Sequence, residues 1–183
     1  MEIITPRLIL RPLRSEDAEQ IQNVFPRWEI VRYLVSTVPW PYPPGAAKHY
    51  VDNVALPAVK EGKGWFWSIR RKENPQELIG LICLMDTPDN NRGFWLVPEW
   101  QGQGLMSEAC GGVNDFWFET LEKDVLRAPK AVANDRSKNL SIRHGMRLIC
   151  TEKSQYVSGE MDSELWEITR DEWRQFKKLT SLA

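Results

Sequence analysis

One strand–loop–helix unit constrains this chain more than any other stretch. Arg92-Gly93-Phe94-Trp95-Leu96-Val97 has the apolar and aromatic content of a strand. Ala109, Val113, Phe116, Trp117 and Leu121 then recur at helical spacing. Between them lies Gln101-Gly102-Gln103-Gly104-Leu105-Met106, with two glycines one residue apart. A glycine loop opening a helix presents unpaired N–H groups and the positive end of the helix dipole, which suits a phosphate or diphosphate. A tight turn alone would also use two glycines. The usual nucleotide fingerprints fail here: a P-loop needs Lys-Ser/Thr after its last glycine, where Leu105-Met106 stands. A dinucleotide fold needs a third glycine in an early βαβ unit, and none is present.

The 183 residues suffice for one domain spanning residues 1–183. A formal net charge of -1 supplies no global field for nucleic acid, so phosphate binding has to be local. No apolar run reaches the ~18 residues of a membrane span, and no signal-peptide core is visible. Cys83, Cys110 and Cys150 are scattered and odd in number, which reads as three reduced thiols and a cytoplasmic protein without a structural metal. His49 and His144 lack the spacing of metal ligands. His144, beside Gly145, reads as a favourable charge at a helix C-terminus.

Along the chain, Arg7–Leu13 alternates as a half-buried strand, and Ser15 reads as the N-cap of a helix with Ala18, Ile21, Val24 and Phe25 on its apolar stripe. Trp28, Val31 and Leu34 suggest a short second helix. Val38-Pro39-Trp40-Pro41-Tyr42-Pro43-Pro44 is stiff and extended. Trp40 and Tyr42 on it either pack inward or wall a pocket. Ala46–Ala58 reads as a helix, Trp65–Arg70 as a strand, and Glu73–Gln76 as a turn. Leu78–Met85 is too apolar for an exposed face and belongs at the centre of a sheet. Val125–Val132 reads as a strand with an irregularity or bulge at Pro129. A short helix from Asn134 ends at a left-handed Gly145, two strands follow (Arg147–Tyr156, Glu164–Thr169), and a last helix starts at Asp171, with Lys177 and Lys178 as a solvated tail. Together these elements make an α/β (α+β) fold, a twisted mixed sheet of about seven strands flanked by helices.

Gln101-Gly102-Gln103-Gly104-Leu105-Met106 resembles the acyl-CoA loop Q/R-x-x-G-x-G/A of the GNAT N-acetyltransferase superfamily, with Met106 at the last position. Asn134, Ser137 and Gly145 stand where that family's second motif has its Asn, Ser and Gly. The opening Thr5-Pro6-Arg7-Leu8, the Pro-Trp-Pro-Tyr-Pro stretch and Asp171-Glu172-Trp173 resemble the ribosomal-protein N-terminal acetyltransferase-like (RimJ/RimL-type) branch. The resemblance implies splayed central strands and acetyl-CoA as co-substrate, with no metal. It implies contacts to acetyl-CoA from Leu96, Val97, Gln101, Gly102, Gln103, Gly104, Leu105, Met106, Asn134 and Ser137. Ser137 is also the candidate proton donor to the leaving thiolate, although at the start of a helix it also reads as an N-terminal capping or first-turn residue. Trp40 and Tyr42 are candidates for the acceptor pocket.

Many relatives carry a Glu where Asn91 stands, and an amide cannot take a proton. An α-amine of pKa ~7.7–8.0 is about a quarter neutral near pH 7.4, whereas a Lys amine is about a thousandth neutral and would need about 4 kcal/mol more from a base. The expected reaction is therefore direct acetyl transfer to a primary amine such as a protein or peptide N-terminus. A small-molecule amine acetyltransferase and a non-catalytic acyl-CoA binder share the same motifs. The expected assembly is a monomer or homodimer, without nucleic-acid or membrane partners. Glu108, just after the loop, reads as ordering the helix start.

Overall fold

A computed structural model describes residues 1–180. In chain order the elements are β1 (Ile3–Ile4), β2 (Leu8–Pro12), α1 (Asp17–Val24), α2 (Trp28–Val31) and α3 (Ala46–Tyr50), which runs through a π turn (Val51–Ala55) into α4 (Leu56–Lys60). Then come β3 (Gly64–Arg71), β4 (Asn74–Met85), β5 (Arg92–Leu96), α5 (Leu105–Asp115) with a π turn (Phe116–Thr120), β6 (Val125–Ala131), α6 (Asp135–Arg143), β7 (Arg147–Tyr156), β8 (Gly159–Thr169) and α7 (Arg170–Thr180). None of the described helices is long and apolar enough to cross a membrane.

The strands form two antiparallel sheets, β1-β2-β3-β4-β5 and β6-β8-β7. That is eight strands where about seven were expected. The mixed character arises only between the sheets. Arg127 lies beside Asn91 and Lys130 beside Phe94, so β5 and β6 run in the same direction. The parallel relation follows from the crossover through α5.

β4 is buried on both faces from Leu78 to Leu84 because apolar cores lie on both sides. Ile79, Ile82 and Leu84 join α5 and the strands β6 and β8 in one core, while Leu78, Leu81 and Cys83 join α1, α2 and α3 in the other. A register shift opposite Ile69 and Arg70 resets the alternation, so that Ile79 and Ile82, three residues apart, share one core and Leu78 and Leu81 the other. Gly80 is required where it stands, since a Cβ there would lie 2.4 Å from the Trp95 carbonyl oxygen.

Asp17, not Ser15, organises the start of α1. Ser15 donates its hydroxyl to Asp52 (2.7 Å), and no side chain caps the helix from Glu16. Asp17 accepts from Arg11 (2.7 Å), Arg70 (2.7 Å) and the Arg14 amide (3.1 Å), tying α1 to β2 and β3. Asp17 and Arg70 are each 1% exposed, so neither charge has water as an alternative partner. Other corrections are local. Pro129 makes no bulge, because the β6–β8 register runs through it unbroken. Asn74, expected in a turn, already opens β4. Lys177 bonds Asp115 (2.8 Å) across the α5–α7 contact instead of trailing in solvent.

Removing one member of the buried pair strands the other. Asp17→Ala should lose about 3–5 kcal/mol in urea denaturation, whereas Ser15→Ala should lose no more than about 1 kcal/mol.

Candidate active site

The two sheets meet at one point and then part. Asn91 donates its amide to the Arg127 carbonyl (2.7 Å) and accepts the Arg127 amide on Oδ1 (2.7 Å). Its side-chain nitrogen donates to Met85 O (3.1 Å) and to Thr87 O. Every polar group of this buried residue is used in structure. An acid in that position could not keep the two donor bonds, so the absence of a Glu has a local physical reason.

Beyond Asn91, strand alternation decides which backbone groups face the gap. Val97 bonds Ile79 across β4, so Phe94 and Leu96 turn their backbone groups toward β6. Val132 bonds Asp162 on the β8 side, so Arg127, Pro129 and Ala131 face β5. Pro129 therefore sits where the next rung would form, and it has no N–H to give. This proline removes the N–H that the next rung between the strands would need. Among the predicted contacts on β5, the Leu96 carbonyl is taken by Gln101 Nε2 (2.7 Å), while its amide faces the gap. Val97 has both backbone groups engaged, by Ile79 (2.9 Å) and Trp100 (3.0 Å).

The glycine loop closes one end of this gap. Gly102 (φ 78) and Gly104 (φ 77) hold left-handed backbone, and Gly104 is the residue before α5. The first intrahelical bond is Glu108 N to Gly104 O, so the amides of Leu105, Met106 and Ser107 have no acceptor within the helix. The loop is braced from outside. Arg7 donates to Gln103 O (3.0 Å) and pairs with Glu108 (2.7 Å), which also accepts from Thr5 and the Arg7 amide. Burial pushes the Glu108 carboxyl up, but the bonds from Thr5 and Arg7 outweigh it and hold the group below its usual range. Gln101 is bonded by Arg136 of α6, which links the two family motifs.

On the opposite wall Asn134 caps α6 by accepting the Ser137 amide (3.2 Å). Ser137 is thus the third residue of the helix, and its hydroxyl makes no hydrogen bond with any described residue. A cleft of about 690 Å³ runs past Leu96, Gln101, Gly102, Gly104, Leu105, Met106, Asn134 and Ser137. Met106 also packs against the core, which draws its side chain away from the loop's amides. The cleft's far side is formed by Glu29, Ile30, Arg32, Tyr33 and Leu34, from α2 and the turn after it. These residues were not singled out in the sequence, because four helical residues and a turn carry no motif. Trp40 and Tyr42 are not among the lining residues. Trp40 packs at a tilt against Trp28 (5.6 Å between rings) and Tyr42 packs edge-on against Phe25 (4.9 Å), where burial pushes its phenol up to about 12.

His144 is not a charged helix terminus. It is 5% exposed, its Nε2 lies 2.8 Å from Ser107 Oγ, and its ring packs at a tilt against Trp173 and Phe176. Burial first, then Arg92, Lys130 and Arg143, drives its pKa down to about 3. Among the described residues no group of three or more His, Cys, Asp and Glu gathers as for a metal.

A glycine loop at a helix start stands beside two strands held apart, with the cleft running past both. The chain belongs to the acetyltransferase (GNAT) domain family, whose pattern it matches over residues 7–147. It is an acetyl-CoA-dependent N-acetyltransferase by that membership. It is similar to the Uncharacterized N-acetyltransferase YoaA of Bacillus subtilis (strain 168), with 27% identity over 154 residues, 78% of this chain and 81% of that protein. Its fold is that of Mycobacterium smegmatis RimJ in complex with CoA-disulfide, with a TM-score of 0.83 at 17% identity, covering 100% of this chain and 93% of the other. The ribosomal-protein-S5-alanine acetyltransferase of Vibrio fischeri superposes with a TM-score of 0.80 at 18% identity, over 94% and 98% of the two chains.

Two outcomes are expected from this geometry. Pro129→Val restores a donor that can close a rung worth about 0.5–1.5 kcal/mol, so acetyl-CoA affinity measured by calorimetry should fall by up to about tenfold. His144 stays neutral when folded and charges near pH 6.5 when unfolded, so its contribution is complete above pH 6.5 and is lost on acidification. Stability should fall by up to about 1.4 kcal/mol per pH unit between pH 6 and 5. His144→Gln should flatten that slope in denaturation curves.

Proposed function

We propose that this protein acetylates the α-amine of a protein or peptide N-terminus by direct attack on acetyl-CoA. The amine lone pair attacks the thioester carbonyl, the C–N bond forms, the C–S bond breaks and the thiolate leaves. The excess proton passes from the substituted nitrogen to solvent, and the thiolate takes a proton from the Ser137 hydroxyl, which regains one from solvent. The observation that carries this reading is the fully committed Asn91, bonded on both sides of its amide at the place where a carboxylate would act as base. Without a strong base there, an amine that is already partly neutral is favoured over a lysine side chain.

In this reading the amides of Gly102 to Met106 bind the diphosphate and the gap-facing groups of Phe94 and Leu96 bind the pantetheine amides as an added strand would. The Asn134 side-chain N–H2 binds the same arm. Glu29 and Asp135 are the carboxylates that line the cleft, and Glu29 is the one on the α2 wall, available to attract an ammonium terminus. Trp40, packed against Trp28 beside Glu29, supports that wall, with Tyr42 behind it. The name of the Vibrio fischeri relative gives a ribosomal protein's alanine as its acceptor, which supports a protein terminus here.

Thiol release from acetyl-CoA should require an acceptor with a free α-amine and be absent with a peptide whose only amine is lysine. Turnover confined to small amines would replace the peptide acceptor with a small molecule. Gly104→Val, forced into left-handed backbone at about 1–3 kcal/mol, should lower acetyl-CoA affinity by about tenfold or more.

A further inference from the structure

Behind the cleft, between β5, β6, α5 and α6, lies a buried polar layer that the transfer reaction does not use. Arg92 and Lys130 are 3% and 5% exposed, and neither makes an ion pair with any described residue. Arg92 donates to Asn114 Oδ1 (2.7 Å) and contacts Met146 Sδ (3.5 Å), both uncharged partners. Glu164 stands opposite Lys130 on the β6–β8 ladder, yet its carboxylate is turned to Lys138 (3.5 Å) and Trp166 (3.1 Å). Arg92 Nε, Asn114 Nδ2, Ser141 Oγ and His144 Nδ1 are all buried without a hydrogen-bond partner. Arg92 Nε and Asn114 Nδ2 are donors and Ser141 Oγ can donate, as can His144 Nδ1 in the tautomer whose Nε2 accepts from Ser107.

An arginine stays charged at any ordinary pH, and a buried cation needs a compensating negative group. The surrounding side chains supply none. Burial raises the Cys110 pKa and keeps that thiol protonated, so it is no substitute. Burial and Arg92 together push Lys130 down to about 7, the response expected of a cation lacking its counter-charge. We infer that the layer is a site for one small anionic group, held by Arg92 and Lys130 and by the orphan donors around them. Two sources share that chemistry. One is an inorganic halide fixed in the fold. The other is the carboxylate of a dicarboxylic acyl thioester, because Lys130 Nζ lies 5.3 Å from the ring of Phe94, a residue of the cleft wall.

Crystals of the unliganded protein soaked in sodium bromide test this without any turnover, so the result is independent of the acceptor reading. An anomalous peak in contact with Arg92 or Lys130 is expected. In solution the melting temperature should rise in bromide or chloride over a bulky organic anion at equal ionic strength, by about 3–6 °C at tenfold the dissociation constant. Arg92→Met and Lys130→Met should each lose that increment. Should either variant fail to fold, the wild-type diffraction still decides. Displacement of bromide by succinyl-CoA but not by acetyl-CoA assigns the site to an acyl carboxylate, and retention with both assigns it to the halide. Water alone at Arg92, with Lys130 paired to Glu164 and no anion-specific melting shift, would overturn the inference.

Discussion

The rest of the site depends on a pairing that stops. β5 and β6 run side by side, share the bonds between Asn91 and Arg127, and then do not continue as a ladder. A continuous ladder would satisfy Phe94 and Leu96 internally and leave nothing for a ligand to bind. The clip at Asn91 keeps the strands in register at one end, and Pro129 denies them the next rung. The place of a missing strand is thereby left open, bordered by the glycine loop on one side and the capped start of α6 on the other.

Holding such an opening requires rigid surroundings. The Arg7–Glu108 contact fastens the first strands to α5, and the Gln101–Arg136 contact fastens the loop to α6. The Asp17–Arg70 pair locks α1 against the sheet on the opposite face. A long Arg reaching across elements does by charge-assisted bonds what apolar packing cannot do at a solvent-lined gap. The polar layer around Arg92 and Lys130 belongs to the same region. A cation is kept behind the cleft where an apolar side chain would have packed without penalty.

Much of this was legible in the chain. The apolar run Leu78–Met85 could only be central, and the spacing of Gly102 and Gly104 marked the loop. Asn134 three residues before Ser137 marked a helix start, although the sequence left open which residue was the cap. Other features were illegible for definite reasons. Ser15 and Asp17 both suit a helix start, and the choice between them was made by Arg70, 53 residues away. His144 beside a C-terminal glycine looked like a surface charge because nothing local announced that Trp173 and Phe176 would cover it. Trp40 and Tyr42 stood out as aromatics on a stiff segment, but the cleft wall is made by less conspicuous residues of α2.

By itself the sequence determined the local elements, the loop's left-handed glycines and the family, because these rest on periodicity, glycine and short-range spacing. Tertiary structure alone decided which groups face the gap, which charges are buried and which are paired. Those outcomes depend on strand alternation across two sheets and on partners tens of residues distant. Asn91 and Pro129 show the difference plainly. In sequence they are a substituted acid and an irregular strand residue; in the fold they are the clip and the break that make the cleft.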